Sequence, residues 1–317
     1  MEEKQINRWL RRRFTTVGWT LIAYYGIMNI LVVLAMTLES LKGFLWSVAG
    51  HFPGHFDPDA VMNNAWGYIL AILVGAVVLY AWKGGGYWRR EIFARKKSMT
   101  AGVFLCLMCL CAGSQMVNSL WVSLLDGILN LFGRSVTGML EGVSGSADSF
   151  SMFLYSGLLA PVAEEILFRG FVQRSLRPFG RRFAIFGSAF LFGVFHGNLL
   201  QTPYAFLVGL VLGYVAEEYS IPWSMGLHMF NNLILADFLS RILERLPQMA
   251  AAFLDLLIFG GFAGAAAVIL VVKRREISAY HKGEWMDRRC LKCFFTNSGV
   301  LVLTVIMVVN MILLLLV

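Results

Sequence analysis

The sequence predicts an all-α, polytopic membrane protein: a transmembrane helical bundle of about eight or nine spans with a polar cavity in its central spans. Three observations predict it. First, 58% of the 317 residues are hydrophobic and only 15% are charged, against roughly 45–50% and about 25% in soluble domains. Second, apolar runs recur along the whole chain, most of them near the roughly 20 residues that cross a hydrocarbon core. Third, basic residues gather in alternate loops between those runs, the pattern of the positive-inside rule. The formal charge of +8 is read as membrane orientation, and no nucleic-acid partner is expected.

Residues Met1 to Arg13 are polar and basic. The apolar run behind them is too long for a signal-peptide core and lacks a small-residue cleavage site, so it reads as a retained first span. The predicted spans are 15–37, 65–82, 99–125, 149–173, 183–199, 202–216, 222–240, 249–272 and 296–317. Segment 83–98 sets six cations against Glu91, segment 174–182 holds four arginines and no acid, and segment 273–295 sets seven cations against Glu276, Glu284 and Asp287. The alternate loops differ: 38–64 has only Lys42 against three acids, and 126–148 only Arg134 against three. With a cytoplasmic N-terminus, nine spans put all three basic loops inside, and a bacterial cytoplasmic (plasma) membrane is the expected location. Glu217-Glu218 does not fit the charge pattern and reads as a solvated turn. Segment 138–150, rich in Gly and Ser, reads as a flexible external loop. It separates N-terminal spans of unassigned role (1–137) from a polar-centred core (149–240), and further spans of unassigned role follow (249–317). Cys106, Cys109 and Cys111 read as packing residues. Cys290 and Cys293 form one C-x-x-C, for which a zinc site would need two more ligands. His281 is the one candidate nearby, and no site is assigned there.

Charge at membrane depth costs a few kcal/mol or more per group and usually serves a purpose. The fourth run carries Glu164, Glu165 and Arg169. Glu165 and Arg169, spaced i and i+4, share a helix face and can pair, while Glu164 points about 100° away. Pro161 is expected to loosen the helix beside them. His196 follows near the outer end of the next run, between Gly193 and Gly197, and His228 lies i to i+4 from Asn232. A desolvated Glu164 can act as a general base. With His196 it could activate a water against a peptide carbonyl, while His228 and Asn232 hold the oxyanion. A competing reading uses Glu164, His196 and His228 as three ligands of a catalytic Zn²⁺, although the H-E-x-x-H arrangement is absent.

The three motifs E-E-x-x-x-R (Glu164, Glu165, Arg169), F-x-x-x-H (Phe192 to His196) and H-x-x-x-N (His228 to Asn232) stand in this order on successive apolar runs. Together they resemble the CAAX-protease and bacteriocin-processing (CPBP, also ABI) family of intramembrane endopeptidases, which includes the type II CAAX prenyl proteases. The likeness covers about 149–240. It implies that Glu164 and His196 activate water, that His228 and Asn232 form the oxyanion hole, and that Glu165 and Arg169 support the site. The implied partners are membrane lipid and a peptide or lipidated-protein substrate. No cofactor is required on this reading, though the family is often labelled metalloprotease and zinc stays open.

Two other classes fit a polar membrane interior. A proton-coupled transporter also uses buried carboxylates and histidines, and would be favoured by inverted repeats, which are not evident. A non-catalytic scaffold or immunity factor would be marked by loss of a core residue, and all of them are present. Taken singly, Glu165–Arg169 reads as a buried structural pair, Phe192 as packing, Asp237 and Asp255 as groups at span ends, and Gly209 with Gly213 as a close helix contact.

Overall fold

The computed structural model describes residues 3–48, 64–94, 96–136, 149–282 and 288–316. Among them it is helical throughout, without strands. Nine long helices follow the nine predicted runs: α1 Glu3–Val48, α2 Trp66–Lys83, α3 Ala101–Asn130, α4 Phe150–Phe179, α5 Arg181–Phe195, α6 Thr202–Glu218, α7 over 221–244, α8 Gln248–Val272 and α9 Ser298–Leu316. Short helices Arg274–His281 and Arg288–Phe295 join α8 to α9. Six of the nine (α1–α4, α8 and α9) are long and apolar enough to cross a membrane, and the chain is an integral membrane protein. The shorter α5, α6 and α7 sit in the middle of the sequence. Ten of the fifteen residues of α5 are buried, so it needs no long lipid-facing surface of its own. The predicted loop at 138–150 lies outside the described residues except for its last two. Most of loop 38–64, Glu284, Asp287 and the His281 side chain also lie outside what is described.

Helix starts follow local chemistry. Thr100, Ser149 and Ser220 accept from the amides of Val103, Met152 and Trp223 and so cap α3, α4 and α7. Pro203 and Pro222 occupy first turns, where a missing N–H costs nothing. Small residues set the packing. Gly209 lies against Ala189 and Phe192, and Gly213 against Ile185, so α6 nests on α5. Gly18 of α1 and Gly299 of α9 bring two backbones into direct contact.

Hydrogen bonds sort the helix ends onto two faces. On one face, Asn297 before α9 donates to Arg11 O and Thr15 Oγ1 of α1. On the other, Trp121 of α3 donates to Leu199 O after α5, Arg134 after α3 donates to Leu315 O of α9, and Asn310 of α9 donates to Gly197 O. The first face also gathers every basic segment. Glu217 receives Arg174 at 3.3 Å and Arg177 at 2.6 Å; Glu218 receives Lys97 at 2.9 Å, Arg181 at 3.1 Å and the Tyr280 hydroxyl at 2.9 Å. The Glu217-Glu218 turn is therefore not solvated, because it is the acceptor on which three basic segments converge.

Candidate active site

Helix α4 carries the charged triplet and is irregular around it. Turns with i→i+5 hydrogen bonding occupy Tyr155–Leu159 and Glu165–Gln173, on either side of a short α segment, Ala160–Glu164, that contains Pro161. Such π turns change which side chains share a face and cluster at functional sites. Glu165 turns inward and is wholly buried, whereas a third of the Glu164 side chain remains accessible. That difference separates their surroundings.

Three groups meet at Glu165. The Arg169 Nε lies 3.2 Å from Oε2, the Ser224 hydroxyl donates to Oε2, and His228 Nδ1 lies 3.2 Å from Oε1. Arg169 donates from Nη1 to Ser188 Oγ at 2.9 Å, and the Ser188 hydroxyl in turn donates to Phe168 O at 2.8 Å. The guanidinium also lies 5.0 Å from the centroid of Phe192, a cation–π contact. The Phe192 ring meets His196 at 4.9 Å and His228 at 5.7 Å, both edge to face. Phe192 thus packs, as its sequence context predicts, and the residues it packs against are Arg169 and both imidazoles.

Hydrogen bonds assign the imidazole tautomers. His196 Nδ1 is 2.8 Å from Phe192 O, which can only accept, so Nδ1 carries the proton and Nε2 is left with its lone pair. His196 ends α5, and Gly197 behind it takes φ +59°, the left-handed residue that commonly closes a helix. Gly193, one turn earlier, is the glycine that allows close approach, to Thr202 O. His228 gives Nδ1–H to the Glu165 carboxylate, and its Nε2 stands 3.7 Å from Glu164 Oε2. Nε2 is then a donor only in the imidazolium form, which would lie between two carboxylates. Asn232 donates to Ser156 O at 3.0 Å and accepts from Asn231 at 3.3 Å, while Asn231 accepts from the Tyr204 hydroxyl at 2.9 Å. The second side-chain N–H of Asn232 completes no bond among the described residues.

Glu164 and His196 line one cavity of about 300 Å³. Its opposite wall comes from α1 and α2, through Tyr24, Asn29, Tyr68 and Ile72, and from Tyr155 on α4. These residues escape a motif reading because they stand singly in long apolar runs. The pair Tyr24-Tyr25 with Asn29 one turn on is the one sequence signal that marks them. Among the described residues no three His, Cys, Asp or Glu side chains come together as a metal-holding group. Glu164, His196 and His228 form no such group as they stand, while the bond from His228 Nδ1 to Glu165 leaves Nε2 as the nitrogen that could reach a metal.

Fold and site together define a polytopic helical membrane protein with a carboxylate–imidazole centre in its interior. Residues 146–234, from just before α4 to the middle of α7, match the family model described as type II CAAX prenyl endopeptidase Rce1-like. The match bears out the resemblance to the CPBP intramembrane proteases drawn from the motifs. No curated protein and no solved structure matches the chain.

Proposed function

We infer that the protein is an intramembrane endopeptidase that hydrolyses a peptide bond of a membrane-bound substrate, with a lipidated C-terminal peptide as the substrate class best supported by the family match. The observation that carries this reading is the shared cavity: Glu164, with its partly accessible carboxylate, and His196 line one partly open volume with mostly apolar walls. A water held between them would give its proton to Glu164 while its oxygen attacks the carbonyl. The developing oxyanion would be met by His228 Nε2–H and the unused Asn232 N–H. Collapse of the intermediate returns the proton from Glu164 to the leaving amine. Glu165 and Arg169 hold His228 and Phe192 in place. The N-terminus is read as cytoplasmic, because the basic segments share one face. A cysteine replacing Arg89 should react with an impermeant thiol reagent only after cells are permeabilised.

The test uses purified full-length protein in liposomes and a farnesylated peptide with a C-terminal Cys-aliphatic-aliphatic-Met sequence. Wild type should cleave it, and Glu164→Gln should lose about 10²- to 10⁴-fold in rate. Full activity in Glu164→Gln would end the assignment. Cleavage that survives a strong chelator supports water activation by glutamate alone, whereas loss restored by Zn²⁺ would make His196 and His228 metal ligands. A bacteriocin-type precursor peptide tried in parallel separates the two substrate classes.

A further inference from the structure

Helices α1 and α2 lie outside the matched segment 146–234, and the sequence alone gives them no role. In the structure they close the cavity over Glu164, and three tyrosines stand on its wall: Tyr24 from α1, Tyr68 from α2 and Tyr155 from α4. Each ring is held by packing. Tyr24 lies flush on Gly75, where an added Cβ would come within 2.6 Å of Cε2, and its ring centroid is 6.3 Å from that of Phe195. Tyr68 and Tyr155 pack on each other at 5.1 Å. Tyr24 and Tyr155 line the same cavity as Glu164.

The rings are fixed, yet among the described residues none of the three hydroxyls has a hydrogen-bond partner. All three side chains are only partly buried, so their hydroxyls are open to a molecule that enters the cavity. Three such donors on one small cavity, beside a candidate general base, are a surface waiting for acceptors. A peptide main chain supplies acceptors at regular intervals, in its carbonyl oxygens. Phenols suit this task, since they donate to a carbonyl without adding a charge near Glu164.

We propose that Tyr24, Tyr68 and Tyr155 are positioning residues that donate hydrogen bonds to main-chain carbonyl oxygens of the bound substrate and hold its scissile bond against Glu164. The proposal rests on the endopeptidase reading and deepens it. It gives α1 and α2 a function: they are the lid and half of the substrate site, so the matched segment alone would be incomplete. It also makes the recognition blind to side chains at these points.

The test compares wild type, the three single Tyr→Phe variants and the triple variant in liposomes, on the farnesylated peptide and on a copy with an ester in place of the peptide bond next to the scissile one. Phenylalanine keeps each ring and its packing, so melting temperatures should not fall. Each lost hydroxyl is expected to lower kcat/KM by about three- to tenfold. The ester, whose carbonyl is a weaker acceptor, should cost wild type several-fold and the triple variant little. A purely structural role for the tyrosines would not produce that coupling. Unchanged kcat/KM in the triple variant, or an equal ester penalty in both proteins, overturns the proposal while the endopeptidase reading stands on wild-type cleavage. No cleavage of either farnesylated or bacteriocin-type peptide by wild type overturns both.

Discussion

Glu165 is wholly buried and meets Arg169, Ser224 and His228 at once, and a buried carboxylate with three donors does more than pair with a neighbour. A buried ion pair often contributes little net stability, while breaking one by removing a single partner costs about 3–5 kcal/mol. Glu165→Leu should therefore unfold at markedly lower temperature, since Arg169 is left as a bare cation inside the bundle. The double variant Glu165→Leu with Arg169→Met should recover most of that loss. Cleavage should stay depressed by on the order of 10²-fold or more, because His228 has lost the acceptor that fixes its tautomer and direction. Thermal unfolding and peptide cleavage on the same preparations check this, and recovered activity in the double variant would reduce Glu165 to a scaffold role. The sequence made this site half legible. The i, i+4 spacing identifies the Glu165–Arg169 pair, and charge at membrane depth marks Glu164, His196 and His228 as worth following. What it hides is long-range. Ser224 and His228 reach Glu165 from 59 and 63 residues away, and the Tyr24 wall comes from a helix with no motif at all. Spacing arguments work within one helix and carry no information on which helices meet.

Hydropathy predicts the nine helices because lipid demands a long apolar run whatever the neighbours are. It predicts their ends less well. The first span, expected at 15–37, belongs to a helix running Glu3–Val48, since nothing in Arg8 to Arg13 stops a helix that water can surround. Packing is legible only where glycine marks it. At Gly18 an added Cβ would lie 2.2 Å from the carbonyl carbon of Gly299 and 2.5 Å from Val300 N. Those are backbone atoms, which cannot rotate away. Gly18→Ala should separate α1 from α9 and destabilise the protein by about 1–3 kcal/mol or more. Gly26 lies two turns further along the same helix and has nothing within 4 Å, so Gly26→Ala should be neutral or stabilising by up to about 1 kcal/mol. Melting in one detergent compares the pair directly. Equal behaviour would mean that α1 and α9 do not touch as described.

At the scale of the whole molecule, one end of the bundle is bound together by charge. Lys97 precedes α3, Arg174, Arg177 and Arg181 flank the α4–α5 junction, and Tyr280 lies between α8 and α9; Glu217 and Glu218 at the end of α6 receive all five. The Lys96 amine adds bonds to Ala216 O and Glu217 O. Two acids that break the charge pattern of the sequence are thus what lets mutually repelling basic segments share a face, and they link the segment before α3 and the segment between α8 and α9 to the central helices that carry the site. Burial works against the Glu218 charge. Hydrogen bonds from Lys97 and Tyr280, together with the charges on Lys97 and Arg181, outweigh it and hold the carboxyl below its ordinary range. A carboxyl depressed in the folded state contributes stability that is complete above its unfolded pKa and is lost as pH falls through the folded one. The melting temperature should therefore be level near neutrality and decline as pH drops through and below the ordinary glutamate value of about 4.3. Glu218→Gln should begin lower at pH 7 and show a shallower acid decline, with the two curves converging at low pH. Parallel curves would mean that Glu218 carries no folded-state charge interaction, and the charged face would then owe its cohesion to Glu217 alone.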